Sequence, residues 1–394
     1  MHPSTLFRVM KAALLCGAMI VSAAPAAAAH YAASVFASDL NNPRGLAFGA
    51  DGTLYVAETG YLDPSVPVEG GFRFMATGSI TQVSGSGQSR IVTRLPSIFS
   101  TAMGNTSGAA DIAFGADGTG YVVVGLGTNP ANRPADSRLG HVLTFTNNGT
   151  VADFADVSGV EGRLNPIGLP DSNPFHLAAT PTGLLVTDAG ANTLNQVSAS
   201  GGASIRAIFP PRFIGQPLPL SDSVPTGVTV GPDGTIYVAE LTGFPFVPGA
   251  ARIYSLAPRS DLPSLLATGL TNLTDLAFGP DGSLYALEYD VDGILGPGVG
   301  GAILRIMADG TSQTLFDTGL VNPTGLTIGS DGAFYVTVNS NGGQGAGEVW
   351  RIAPVPEPAS WMLVISGFGL VGLALRSSRR REAGMDGIDI AVAA

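Results

Sequence analysis

The chain has 394 residues, of which 54 are glycine and 28 are proline, and only 12% are charged. This balance suits many short strands joined by tight turns, and a hydrophobic content of 45% excludes a disordered polymer. The formal net charge is −11, and between residues 30 and 355 there are 13 Arg and no Lys against 26 Asp and Glu, so the basic footprint of a nucleic-acid binder is missing.

At the N-terminus, Arg8 and Lys11 flank an apolar run from Ala12 to Ala24, followed by Ala26 to Ala29. This is the order of a secretory signal peptide. Residues 1–29 are expected to engage the secretion machinery and signal peptidase. The apolar run is short for an uncleaved anchor. The only cysteine, Cys16, falls in this leader, so the mature chain has neither a catalytic thiol nor Cys-ligated zinc.

Next comes Asn42 to Glu58, which reads as a strand, an Asp-Gly turn and a second strand. Variations of it recur six times. The turn glycines are Gly52, Gly118, Gly183, Gly234, Gly282 and Gly332, at intervals that fall from about 66 to about 50 residues. Two further β-rich segments follow each hairpin. Six units of four strands predict an all-β, six-bladed propeller over residues 30–353. The sixth unit lacks a fourth strand, and Ser34 to Leu40 matches the missing piece. The N-terminal strand is therefore expected to close the last blade and remove its free edge. Proline- and glycine-rich insertions at Tyr61 to Thr77, Gly125 to Gly140 and Pro210 to Val224 are expected to be long loops.

In such a fold the start of each inner strand and the end of each second strand share one face. The inner-strand entrances are Gly45, Asp111, His176, Gly227, Asp275 and Gly325, and the second-strand exits are Glu58, Val124, Asp188, Glu240, Glu288 and Val338. One reading is an acidic channel mouth at which Glu58, Asp111, Asp188, Glu240, Asp275 and Glu288 hold a hard cation such as calcium, which takes several oxygen ligands. Another places His176 beside a carboxylate as a catalytic acid or base. A third has these side chains bonding backbone amides. The Asp-Gly aspartates are expected to be structural, and the column Tyr55, Tyr121, Tyr237, Tyr285 and Tyr335 to be core between blades. Phe244 and Phe246 break the repeat and are expected ligand contacts, together with Arg44.

At the C-terminus, Pro356-Glu357-Pro358 leads into an apolar, glycine-rich run from Met362 to Leu375, then Arg376, Arg379, Arg380 and Arg381. The order resembles the PEP-CTERM sorting signal of Gram-negative bacteria. The resemblance implies a transmembrane helix within 354–381, an exosortase-type partner acting near Pro356, Glu357 and Pro358, and retention by Arg379, Arg380 and Arg381. The product would pass through the inner membrane to the outer envelope, cell surface or matrix. Residues 382–394 form a tail beyond the arginines.

Several phrases of the repeat body also resemble the ScyD/ScyE family, named for genes of the scytonemin pigment cluster. They include Asn42-Pro43-Arg44-Gly45, Asp171-Ser172-Asn173-Pro174-Phe175, Ile208-Phe209-Pro210-Pro211-Arg212 and Glu240-Leu241-Thr242-Gly243-Phe244-Pro245-Phe246. The resemblance implies an NHL-like or SMP-30-like propeller and no settled reaction. The function expected first is an exported binding or scaffold module for a small molecule, polysaccharide or protein. The alternatives are a calcium-dependent hydrolase of lactonase type and a periplasmic accessory of secondary-metabolite maturation.

Overall fold

Each Asp-Gly turn closes in the same way. In the first copy, the Asp51 carboxylate accepts from the Thr53 amide at 3.0 Å, the Gly49 amide donates to the Thr53 carbonyl at 2.8 Å, and Gly52 takes φ of 79°. Asp117, Asp233, Asp281 and Asp331 repeat the carboxylate–amide bond. A short acceptor and a residue free to adopt positive φ reverse the chain without help from the rest of the fold.

The computed structural model of the protein describes residues 30–165, 168–214 and 220–355, with residues 367, 368 and 376. Tyr31–Val355 is one compact unit. It is an all-β, six-bladed propeller. The inner strands are Pro43–Phe48, Ala109–Phe114, Pro174–Thr180, Pro225–Val230, Leu273–Phe278 and Leu326–Ile328. Each leads outward through its own antiparallel sheet. As expected, the N-terminal strand Tyr31–Leu40 pairs with Gly347–Pro354 and becomes the outer strand of blade 6.

Six apolar clusters fill the six blade interfaces. Tyr55, Ile80 and Val92 of blade 1 pack on Ile112, Val122 and Leu143 of blade 2, for example. The last seam joins Tyr335 and Val349 of blade 6 to Leu46 and Val56 of blade 1. Along the second strand of blade 2, Val122 and Val124 face blade 1 while Val123 faces blade 3. Two-sided burial explains why these strands read as continuous apolar runs rather than alternating ones. The tyrosine column lies in the seams. Tyr55, Tyr237 and Tyr335 stand edge-on to Phe114, Phe278 and Phe48 of the following blade, at centroid distances of 4.9, 5.4 and 5.0 Å.

Two of the expected loops contain strands, and a short helix lies outside them. In blade 1 the third strand starts at Phe72, within the expected loop, and runs to Ser84. There Phe72–Met75 pairs with Ser97–Ser100, and Asn105–Ser107 adds a fifth strand. The segment between blades 3 and 4 forms a small hairpin, Arg212–Phe213 with Leu220–Ser221. A helix, Ser158–Leu164, joins blades 2 and 3. No helix among the described residues is long and apolar enough to cross a membrane. The leader 1–29, most of the expected transmembrane helix, and Pro356, Glu357, Pro358, Arg379, Arg380 and Arg381 lie outside the described residues.

Candidate ligand site at the channel mouth

The strand register sets the exit carboxylates opposite the start of their own inner strands. Pro43 pairs with Glu58, Pro174 with Asp188, Pro225 with Glu240 and Leu273 with Glu288. Three of them then take the amide of a residue just before that strand. Asn41 donates to Glu58 at 2.6 Å, Asn173 to Asp188 at 2.6 Å, and Thr271 to Glu288 at 2.7 Å. Each carboxylate staples the incoming loop to its own blade.

The remaining oxygen capacity is also used. Glu58 accepts from Ser79 Oγ, Thr81 Oγ1 and the Arg90 guanidinium. Asp188 accepts from Ser172 Oγ and the amides of Gly190 and Ala191. Glu240 meets Arg212 through both oxygens and takes Ser223 Oγ at 2.8 Å. Burial pushes Asp188 up to about 6, although its hydrogen bonds pull the other way. Burial likewise raises Glu240 against the opposing pull of Arg212. Glu288, with one amide donor, is pushed up to about 7 by burial.

Asp111, His176 and Asp275 form a separate group at the channel throat. His176 Nδ1 lies 3.1 Å from Asp111 Oδ2, and Nε2 lies 2.7 Å from Asp275 Oδ1. The imidazole thus spans blades 2, 3 and 5. The Nδ1 contact is close in distance but lacks hydrogen-bond alignment. Each aspartate also ties in a following inner strand. Asp111 accepts the Leu177 amide at 2.9 Å, and Asp275 the Leu326 amide at 2.7 Å. Burial pulls the His176 pKa down, but Asp111 and Asp275 outweigh it and raise it to about 9. Burial drives Asp111 up to about 7 despite the imidazolium.

The glycines of the same ring make this packing possible. A Cβ on Gly45 would lie 1.8 Å from Asp111 Oδ1, and one on Gly227 would lie 2.7 Å from the Asp275 Cα. Glycine at these entrances lets neighbouring inner strands approach closely.

The residue before each entrance has its own pattern. Thr226 donates to the Leu273 carbonyl at 2.8 Å, Thr274 to Pro323 at 3.4 Å, and Thr324 to Pro43 at 3.1 Å. These hydroxyls stitch blades 4 to 5, 5 to 6 and 6 to 1. Blade 1 has Arg44 there. Its Nη2 donates to Asn341 Oδ1 at 3.0 Å, and Asn341 Nδ2 donates to the Tyr289 hydroxyl at 2.7 Å.

Of the expected contacts, Phe244 is 67% exposed and stands edge-on to Phe246 at 6.3 Å. Their loop leaves the second strand of blade 4, with Leu241, Thr242 and Gly243 donating to the carbonyls of Val224, Ser223 and Asp222. The six acidic residues expected to hold calcium divide into three blade-local staples, Glu240 held by Arg212 and Ser223, and the throat pair. Among the described residues no three His, Asp or Glu side chains form a group suited to a metal. Calcium needs oxygens not already saturated by nearby donors, and Glu58, Asp188 and Glu240 do not offer them. Sequence reasoning missed Arg90 and Arg212 as partners of Glu58 and Glu240. It also missed Tyr289 and Asn341 beside Arg44. The Thr226, Thr274 and Thr324 positions were a usable signal for Arg44, the one charged residue at a place otherwise held by these threonines, Ala110 and Phe175.

Residues 354–381 match the PEP-CTERM protein-sorting motif. The motif implies export, sorting towards the membrane and cell surface, and processing by exosortase-type machinery. No curated protein matches the sequence. Among solved structures, a gluconolactonase from Xanthomonas campestris is similar at 12% identity and a TM-score of 0.51, covering 82% of this chain and 89% of that one. A protein provisionally named a gluconolactonase is similar at 14% identity and a TM-score of 0.50, covering 83% and 94%. An auxiliary nutrient-binding protein from Bacteroides thetaiotaomicron is similar at 9% identity and a TM-score of 0.50, covering 82% and 76%. At these identities the likeness shows the propeller fold alone.

Proposed function

We propose that the chain is an exported binding or scaffold module, displayed at the envelope surface or in the matrix, with its ligand site at the channel mouth. The observation that carries this reading is the commitment of the mouth carboxylates. Glu58, Asp188 and Glu240 already accept from donors of the protein itself. A metal-dependent hydrolase needs such oxygens turned to a common ion with a position left open for substrate. Arg44, Phe244 and Phe246 remain as groups that break the structural repeat at this face. The finer assignment to the ScyD/ScyE type rests on the Glu240 to Phe246 phrase and leaves the binding reading unchanged.

The test compares the full chain with a variant lacking residues 356–381. The full chain is expected in the surface or matrix fraction and the variant elsewhere, with the propeller folded in both. Purified full chain is also assayed against gluconolactone with millimolar calcium and is expected to add nothing to spontaneous hydrolysis. An unchanged cell fraction would sink the sorting claim. Calcium-dependent turnover would overturn the binding reading in favour of a lactonase.

A further inference from the structure

We propose that the mouth holds a carboxylate group of its ligand on a donor array formed by Arg44, Asn341 and Tyr289. These residues come from blades 1, 6 and 5. The proposal rests on the binding role above and names the ligand class that the mouth takes.

Arg44 stands where blades 4, 5 and 6 carry a threonine that stitches the seam and blades 2 and 3 carry the apolar Ala110 and Phe175. Its guanidinium is therefore not part of the repeated blade architecture. Among the described residues it belongs to none of the ion pairs. The chain nevertheless carries twice as many acidic as basic residues between positions 30 and 355. Burial lowers the Arg44 pKa, and the only group opposing that effect is the Tyr289 phenol, with no carboxylate among them. A partly desolvated cation without a counter-charge is costly, and a bound anion relieves that cost.

The hydrogen-bond directions point the same way. A guanidinium only donates, so Asn341 must turn its oxygen to Arg44 and its amide nitrogen to Tyr289. The Tyr289 hydroxyl accepts that amide and keeps its own proton to give. Burial raises the Tyr289 pKa, so the phenol stays protonated. The cluster offers the remaining N–H groups of Arg44 and the O–H of Tyr289. A planar carboxylate matches a guanidinium fork with two parallel bonds. Asp290, whose charge acts on Tyr289, is buried and disfavours a doubly charged phosphate.

The carboxylate has two natural sources, a uronic acid within a polysaccharide and a free small acid. Calorimetry on the full chain in detergent separates them, with trigalacturonate and benzoate as probes. Galactotriose and inorganic phosphate serve as controls. At least one carboxylate probe is expected to bind, and galactotriose is expected not to. Arg44→Gln should weaken that binding roughly tenfold to a hundredfold, as expected for lost charge-assisted hydrogen bonds. Tyr289→Phe should weaken it by about fivefold. Arg44→Lys keeps the charge and should fall between wild type and Arg44→Gln, and near-ultraviolet dichroism checks folding of each variant. The proposal fails if neither carboxylate binds at millimolar concentration, if Arg44→Gln binds as wild type does, or if phosphate binds more tightly. Such a failure with surface sorting intact and no lactone hydrolysis would leave the exported binding role standing.

Discussion

Replacing His176 with Gln tests the electrostatics of the throat. The imidazolium lies between Asp111 at 3.1 Å and Asp275 at 2.7 Å, with its side chain only 12% exposed. The displacement of its pKa from 6.5 to about 9 corresponds to roughly 3 kcal/mol favouring the charged imidazolium in the fold. The folded pKa is raised, so this stabilisation is complete below about 6.5 and is lost as pH rises through about 9. Removing the cation also leaves two buried carboxylates facing each other, a loss on the order of 3–5 kcal/mol. Urea unfolding of both proteins between pH 6 and pH 10 measures the effect. His176→Gln should be destabilised most near pH 6 to 7, and the gap should narrow towards pH 10. A gap that is constant across this range would refute the reasoning, because the loss would then be one of packing alone.

Two other changes follow from the same rings. Glu288→Gln keeps an acceptor for the Thr271 amide and removes a buried charge whose pKa stands near 7 instead of 4.5. The wild-type carboxyl contributes stability below about 4.5 that is lost as pH rises through about 7, so the variant should be more stable at pH 8, by at most about 3 kcal/mol, and equal at pH 4. Unfolding midpoints at the two pH values check this, and equal midpoints at pH 8 would count against it. Gly45→Ala would push a methyl to 1.8 Å from Asp111 Oδ1. It should lower stability by about 1–3 kcal/mol, read from urea midpoints, and a neutral result would mean that the throat is not close-packed.

The architecture was legible because its signals are local and repeat. Asp51 and Gly52 specify a turn wherever they stand, and six copies give the blade count. The spare strand at Tyr31–Leu40 followed from the missing fourth strand of the last unit. Positions around the channel were also legible, since strand register alone aligns Glu58 with Glu240 and Gly45 with Asp275. What those side chains do was less visible. Glu58 meets Arg90 from its own outer strand, and Glu240 meets Arg212 from an inserted hairpin. Neither arginine belongs to the repeated hairpin, so the pattern that located the carboxylates could not supply their partners. Glu58, Asp188 and Glu288 bond backbone amides of their own blades, and Asp111 and Asp275 face His176. His176 was set beside a carboxylate, but its partners, Asp111 of blade 2 and Asp275 of blade 5, were hidden because they depend on distances across the channel, which a linear alignment does not contain.

Glu58, Asp188 and Glu240 at the mouth are already occupied by the protein's own donors. A calcium titration of the full chain, followed by thermal unfolding, tests this most directly. The account predicts an unfolding temperature that does not move up to millimolar calcium. A saturable rise that disappears in Glu240→Gln would contradict it and return the mouth to metal chemistry.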